Sequence, residues 1–182
     1  MKYPTRDLAY LAVIILLIGL CGQFYYSYKL QPQYETRVYY SYDRGLNKEI
    51  IDTIQSADEF VYFAVYTFTR QDIADAIMAA KYRGLEVIGI TDRKQYNAIE
   101  AQKKIINDLR KEGITVFEQD HSGIMHLKTV VTEKSYASGS YNWTASATTI
   151  NDEVLEIGLS PTIRKQYQTV LEELFKKYSE PR

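Results

Sequence analysis

The sequence predicts an α/β protein: an α-β-α sandwich with a mixed, largely parallel sheet, preceded by an N-terminal transmembrane helix. Three observations predict it. Residues 8–26 form an apolar run without one charge, residues 37–117 alternate between strand-like and helix-like periodicities, and residues 127–140 hold two strand-like runs only three residues apart.

Leu8 to Tyr26 is 19 residues long. As a helix it would measure about 28 Å, close to the thickness of a hydrocarbon core. A cleaved signal peptide would share the basic start, Lys2 and Arg6, but Leu20-Cys21-Gly22-Gln23-Phe24 is a poor small-x-small cleavage site. Leu20 also stands where a lipoprotein cysteine needs a small neighbour. Residues 1–30 are therefore read as a membrane anchor, with Tyr25, Tyr26 and Tyr28 suited to the far interface. Lys2, Arg6 and the free amine precede the span and Lys29 follows it, which keeps the amino end cytoplasmic and exports the rest. Gln31-Pro32-Gln33 reads as a short linker, and residues 31–182 as one domain of ordinary size.

Within that domain Arg37–Tyr42 reads as a strand, and Leu46–Ala57 as a helix with Leu46, Ile50, Ile51 and Ile54 on one side. Phe60–Thr69 is apolar on both faces and rich in aromatic and β-branched residues, as a buried strand should be. An amphipathic helix over Asp72–Tyr82 closes at Gly84, and the strand Leu85–Ile90 follows. A second helix over Ala98–Glu112 closes at Gly113, before the strand Ile114–Phe117. This βαβαβαβ order implies crossover helices over parallel strands. The pattern then changes: Leu127–Thr132 and Tyr136–Ser140 read as a hairpin around Glu133-Lys134-Ser135. Glu153–Leu159 is a last strand, and Pro161–Tyr178 a charged terminal helix with proline near its first turn.

Composition excludes several classes. One cysteine forms no intramolecular disulfide, and Cys21 with two histidines cannot supply a Cys/His zinc site. A net charge of −1 gives no general electrostatic footprint for nucleic acid, so any such contact must be local.

The chemistry lies at the hairpin. His126 and Lys128 are two apart at the start of a strand and share a face; Ser140 and Asn142 do the same where the partner strand ends. Antiparallel pairing brings these ends together, with Glu153 arriving from the next segment. An imidazole, an ammonium, a hydroxyl and a carboxamide around one point suit a phosphate: Lys128 neutralises charge, Ser140 and Asn142 donate to its oxygens, and His126 attacks or moves a proton. Glu153 is placed to hold the imidazole by its second nitrogen.

The run His126-Leu127-Lys128, then Gly139-Ser140-Tyr141-Asn142, then Glu153 resembles the HKD motif of the phospholipase D superfamily, HxKxxxxD followed by GSxN and a downstream Glu. It is most similar to the single-motif bacterial endonucleases and the mitochondrial cardiolipin hydrolase group, over roughly residues 37–178. Two departures stand out. Glu133 occupies the motif's aspartate position, which is structural in the family, and the gap to GSxN is one residue short. The resemblance implies a metal-independent and cofactor-free phosphodiesterase: an endonuclease cleaving DNA or RNA through a phosphohistidine on His126, in a site completed by the second histidine of a homodimer. The catalytic set it implies is His126, Lys128, Ser140, Asn142 and Glu153, with Lys128, Ser140 and Asn142 also binding substrate. A phospholipase D-type hydrolase of a cardiolipin-like phospholipid and a non-catalytic nucleic-acid-binding module are the alternatives. The implied location is a bacterial inner membrane, with the catalytic domain periplasmic or extracellular.

The remaining candidates have plainer readings. His121 reads as a loop histidine, and Asp120, His121 and His126 lack the spacing of metal ligands. Trp143 reads as core. Arg93-Lys94, Lys103-Lys104 and Arg110-Lys111 read chiefly as solvated charge, and Tyr66, with Phe68 and Arg70, stands at a strand end where it either packs or lines a cleft.

Overall fold

The computed structural model describes residues 5–29, 35–41 and 45–179, in two compact units divided at residue 33. The expected linker, and with it the expected boundary at residues 30–31, lies outside the described residues. The first unit is one helix, α1 (Thr5–Lys29), whose segment Asp7–Lys29 is long and apolar enough to cross a membrane. Its leucines and isoleucines are exposed along its whole length.

The second unit is a seven-stranded sheet with helices on both faces. In chain order its elements are β1 (Thr36–Tyr40), α2 (Leu46–Gln55), β2 (Phe60–Val65), α3 (Gln71–Tyr82), β3 (Glu86–Asp92), α4 (Arg93–Ala98), α5 (Glu100–Lys111), β4 (Thr115–Gln119), β5 (Lys128–Thr132), β6 (Tyr136–Gly139), α6 (Ala145–Thr149), β7 (Val154–Gly158) and α7 (Pro161–Ser179). The strands lie in the order β1-β7-β6-β5-β2-β3-β4.

The alternating residues of β2 divide the core in two. Val61, Phe63 and Val65, with Val130, Ala137 and Leu155, pack under α2, α3 and α5 through Ile50, Ile54, Ile73, Ile77, Ile106 and Leu109. Tyr62 and Ala64, with Ile90, Val131 and Tyr136, pack under Leu171 and Phe175 of α7. Full burial of these aromatic and branched side chains is the main drive for the fold, at about 1.5–3 kcal/mol for each large one.

The α/β sandwich and the mixed sheet are as expected, but the parallel share is smaller. Only β2–β3 and β3–β4 run parallel; β5 pairs antiparallel with β2, and β6, β7 and β1 continue antiparallel beyond it. The hairpin inserts beside β2, and each strand added after it reverses direction. The helix expected over 98–112 begins earlier and breaks at Ile99, where the backbone is extended. The Asp92 side chain accepts from Gln95 N–H at 2.9 Å and thereby starts α4 as a separate turn and a half. The strand expected over 60–69 stops at Val65, because Thr67 to Arg70 pair instead with Asn142 and Trp143: Trp143 N–H donates to Thr67 O at 3.0 Å and Thr69 N–H to Trp143 O at 2.8 Å. The short helix α6 was not foreseen.

Candidate active site

Because β5, β6 and β7 are antiparallel neighbours, the start of β5, the end of β6 and the start of β7 meet at one edge of the sheet. The carboxyl ends of β2, β3 and β1 reach the same edge, bringing Tyr66, Asp92 and Ser41. The registers that make the fold therefore also assemble the site.

Lys128 opens β5 opposite Val65 and is only 4% exposed. Its ammonium donates to His126 O at 2.8 Å and lies 5.1 Å from the centre of the Tyr66 ring. Among the described residues no carboxylate lies within ion-pair distance of it. Burial pulls Lys128 below the ordinary lysine range, and the charge of Glu153 offsets part of that fall. His126 precedes the strand rather than opening it, and is exposed. Its imidazole meets the Tyr66 ring edge to face at 4.7 Å.

Ser140 and Asn142 follow β6. The approach there is close: a Cβ on Gly139 would stand 2.0 Å from Val154 O, so only glycine lets β6 reach β7 at this point. Ser140 Oγ donates to Glu153 Oε2 and accepts from Val154 N–H at 3.1 Å. Glu153 is buried; its other oxygen accepts from Asn151 Nδ2 at 3.1 Å, and its backbone is clasped by Ser41 at both N–H and C=O. Within one chain, then, the Glu153 hydrogen bonds go to Ser140 and Asn151 rather than to the His126 ring expected from the sequence. Asn142 Oδ1 accepts from Thr67 N–H at 3.3 Å, which leaves the amide NH2 as a donor with no partner among the described residues.

The segment carrying His126 is fixed by a residue the sequence reading passed over. Asp92 is fully buried, and while one carboxylate oxygen caps α4 the other accepts from Met125 N–H at 2.9 Å. Gln95 then donates to the Tyr66 hydroxyl at 3.0 Å and accepts from Thr67 Oγ1 at 3.2 Å. The only sequence signal for this pair was a helix-capping aspartate directly after a strand. Glu133 lies at the other end of β5, away from the site. It accepts from the N–H groups of Asp58, Glu59 and Phe60 at 2.8–3.4 Å and so fastens the hairpin to the start of β2. Burial raises the Glu133 carboxyl, but those backbone donors outweigh it and the net displacement is downward.

His121 Nδ1 accepts from Gly123 N–H at 2.9 Å, a bond internal to its loop. Trp143 is fully buried against Phe63 and Phe68, as expected. Lys104 and Lys111 pair with Asp108, and Arg110 with Glu118, consistent with structural rather than phosphate contacts.

Known proteins resemble this chain in sequence and in fold. The family described as "Cardiolipin synthase, PLD-like domain" matches residues 50–175, more than two thirds of the chain. The chain is 34% identical to a mitochondrial cardiolipin hydrolase of Xenopus tropicalis over 67% of its own length and 57% of that protein's. It is 27% identical to a phospholipase D of Rickettsia prowazekii over 71% of its own length and 62% of that protein's. It thus spans about 60% of the length of these curated relatives. Among solved structures, Nuc, a phospholipase D family member from Salmonella typhimurium, superposes with a TM-score of 0.72 at 25% identity, covering 78% of this chain and 93% of that one. NucT from Helicobacter pylori gives 0.71 at 25% identity, covering 79% and 97%.

Glu133→Gln keeps one acceptor and loses the charge, so urea unfolding at pH 7 should show a loss of about 1–2 kcal/mol. A carboxyl lowered in the folded state stabilises above its unfolded value and loses that contribution as pH falls, so the gap to wild type should close between pH 5 and about pH 3. A gap unchanged at pH 3 would refute the anchoring role. Lys128→Met removes a desolvated cation that has no close anion. We expect stability at neutral pH to be equal to wild type or about 1 kcal/mol higher. A lowered lysine binds fewer protons folded than unfolded, so that advantage should shrink as pH rises through 9 and 10. Strong destabilisation by Met would mean that the ammonium is structural.

Proposed function

This chain belongs to the PLD-like domain family, and from that premise we propose that it is a metal-independent phosphodiesterase, cleaving DNA or RNA at a site shared by two copies of the chain. One observation carries the reading. A buried ammonium with no anion at ion-pair distance stands beside an exposed imidazole and an unused carboxamide donor, which is a receptor for a phosphate diester and a nucleophile to attack it.

In the proposed reaction Lys128 and the Asn142 NH2 hold the non-bridging oxygens, while Ser140 is oriented by Glu153. The neutral His126 ring attacks phosphorus. A P–N bond forms, the P–O bond to the leaving group breaks, and that oxygen takes a proton from His126 of the partner subunit. Water then gives its proton to the same partner imidazole and attacks phosphorus, releasing a phosphomonoester and restoring His126. A homodimer is supported by the single motif histidine in each chain. It is also supported by apolar side chains left exposed at the site's edge of the sheet, Leu127 and Val154, and on the outer strand, Val38 and Tyr40. The likeness of the His126, Ser140 and Glu153 motifs to those of the single-motif bacterial endonucleases favours nucleic acid as substrate.

The second reading, hydrolysis of a cardiolipin-like phospholipid, is favoured by the names of the curated relatives and by exposed Ile124 and Ile150 on the loops that carry the site. In either reading α1 tethers the domain to a membrane, with the catalytic unit on the periplasmic or outer side of a bacterial inner membrane.

The test uses the full chain in detergent micelles with excess EDTA, supplied separately with single-stranded DNA, duplex DNA, RNA and cardiolipin. We expect nucleic-acid cleavage that survives EDTA and falls by at least about a thousandfold in His126→Ala. Cleavage of cardiolipin alone would replace the first reading by the second. Binding without cleavage would leave only a nucleic-acid-binding module, and a strict metal requirement would refute the mechanism.

A further inference from the structure

We infer that Tyr66 is a positioning residue of this site, whose ring holds the His126 imidazole and the Lys128 ammonium in their reactive places. The inference rests on the phosphodiesterase reading above and extends it to a residue outside the HxK, GSxN and Glu motifs.

An aromatic residue at a strand end is ordinarily packing. Tyr66 differs in being fixed at three points while only half buried. Its N–H donates to Leu127 O at 2.8 Å, its C=O accepts from Gln102 Nε2 at 3.1 Å, and its hydroxyl accepts from Gln95 Nε2 at 3.0 Å. Each tether has its own support. Gln102 is fully buried and also bonds Thr91 Oγ1 and Phe68 N–H, while Gln95 is set by the Asp92 cap at the head of α4. The ring so held touches the two groups the reaction needs and adds no hydrogen bond to either: the imidazole edge to face at 4.7 Å and the ammonium at 5.1 Å.

Such contacts have a chemical consequence. His126 is exposed, and among the described residues no hydrogen bond is made by its ring, so the Tyr66 ring is what restricts the plane of the imidazole. An attacking nitrogen must point along the line of the bond being broken, and a freely turning ring meets that condition rarely. For Lys128 the ring face supplies a partner that attracts the cation without neutralising it, which leaves its charge for substrate. A carboxylate in the same place would compete with the phosphate. The ring alone carries both effects, and the hydroxyl serves to hold the ring.

The test compares Tyr66→Phe and Tyr66→Leu in the full chain in micelles, by steady-state kinetics in EDTA and by NMR of 13C-labelled histidine. The chain has two histidines, so His126→Ala assigns the spectrum. We expect Tyr66→Leu to lower kcat by about 10–100-fold with KM within about threefold, and Tyr66→Phe to retain at least about a third of wild-type kcat. The His126 ring C–H signals should be displaced by the aromatic ring current in wild type and Tyr66→Phe, and should move to exposed-histidine positions in Tyr66→Leu. Full activity in Tyr66→Leu, an equal loss in both variants, or unmoved His126 signals in Tyr66→Leu would overturn the inference. If wild type cleaves no phosphodiester, the proposed function fails by itself, and the histidine spectra still decide whether Tyr66 orients His126.

Discussion

The buried ammonium of Lys128 is the constraint around which this site is organised. Moving a cation out of water costs several kcal/mol unless something replaces its hydration. Here the replacement is deliberately incomplete: one carbonyl oxygen, one aromatic face and a carboxylate beyond contact distance. Each comes from a different chain segment, so the cation is tolerable only where the His126 segment, the end of β2 and the start of β7 converge. A charge left short of partners in this way is a standing attraction for an anion, and in the proposed reaction that anion is a phosphate diester held beside His126.

The surrounding shell keeps those segments from relaxing onto the cation. Glu153 is engaged by Ser140, Asn151 and Ser41, which holds its charge at a distance instead of letting it form a direct pair. Asp92 ties Met125 to α4, so the loop before β5 cannot swing away. Gly139 permits the close approach of β6 and β7 that places Ser140 beside Glu153. Beneath them Trp143, Phe63 and Phe68 form the fully buried floor. Glu133 fastens the far end of the same hairpin, which gives the motif's acidic position a mechanical role, and its longer side chain reaches three backbone donors.

Much of this was legible in the sequence, for reasons that differ by element. Long periodic segments announced α2, α3, α5 and α7, and strand periodicity and the phospholipase D-like motif both pointed to His126, Lys128, Ser140, Asn142 and Glu153, which the strand registers bring to one end of the sheet. The direction of the later strands was less accessible. Alternating strands and helices argued for parallel pairing through β4, but where the hairpin inserts depends on contacts with β2 that no local pattern encodes. Asp92, Gln95 and Ser41 were missed because each is ordinary in its own neighbourhood: a cap, a helix residue and a serine at a strand end. Their importance arises only when residues more than 25 positions apart meet, as Asp92 and Met125 do across 33 positions. The Glu153–imidazole contact was expected from chemical precedent; the chain instead spends that carboxylate on Ser140 and Asn151.

In the proposed reaction His126 becomes covalently bonded to phosphorus with no metal taking part. The most direct measurement is mass spectrometry of the full chain mixed with excess phosphodiester substrate in EDTA and quenched in alkali, where phosphohistidine survives. The expected result is a phosphoryl-bearing adduct confined to the peptide containing His126, forming and decaying at rates that match turnover. Turnover in EDTA with no adduct at any time, or an adduct on another residue, would contradict it.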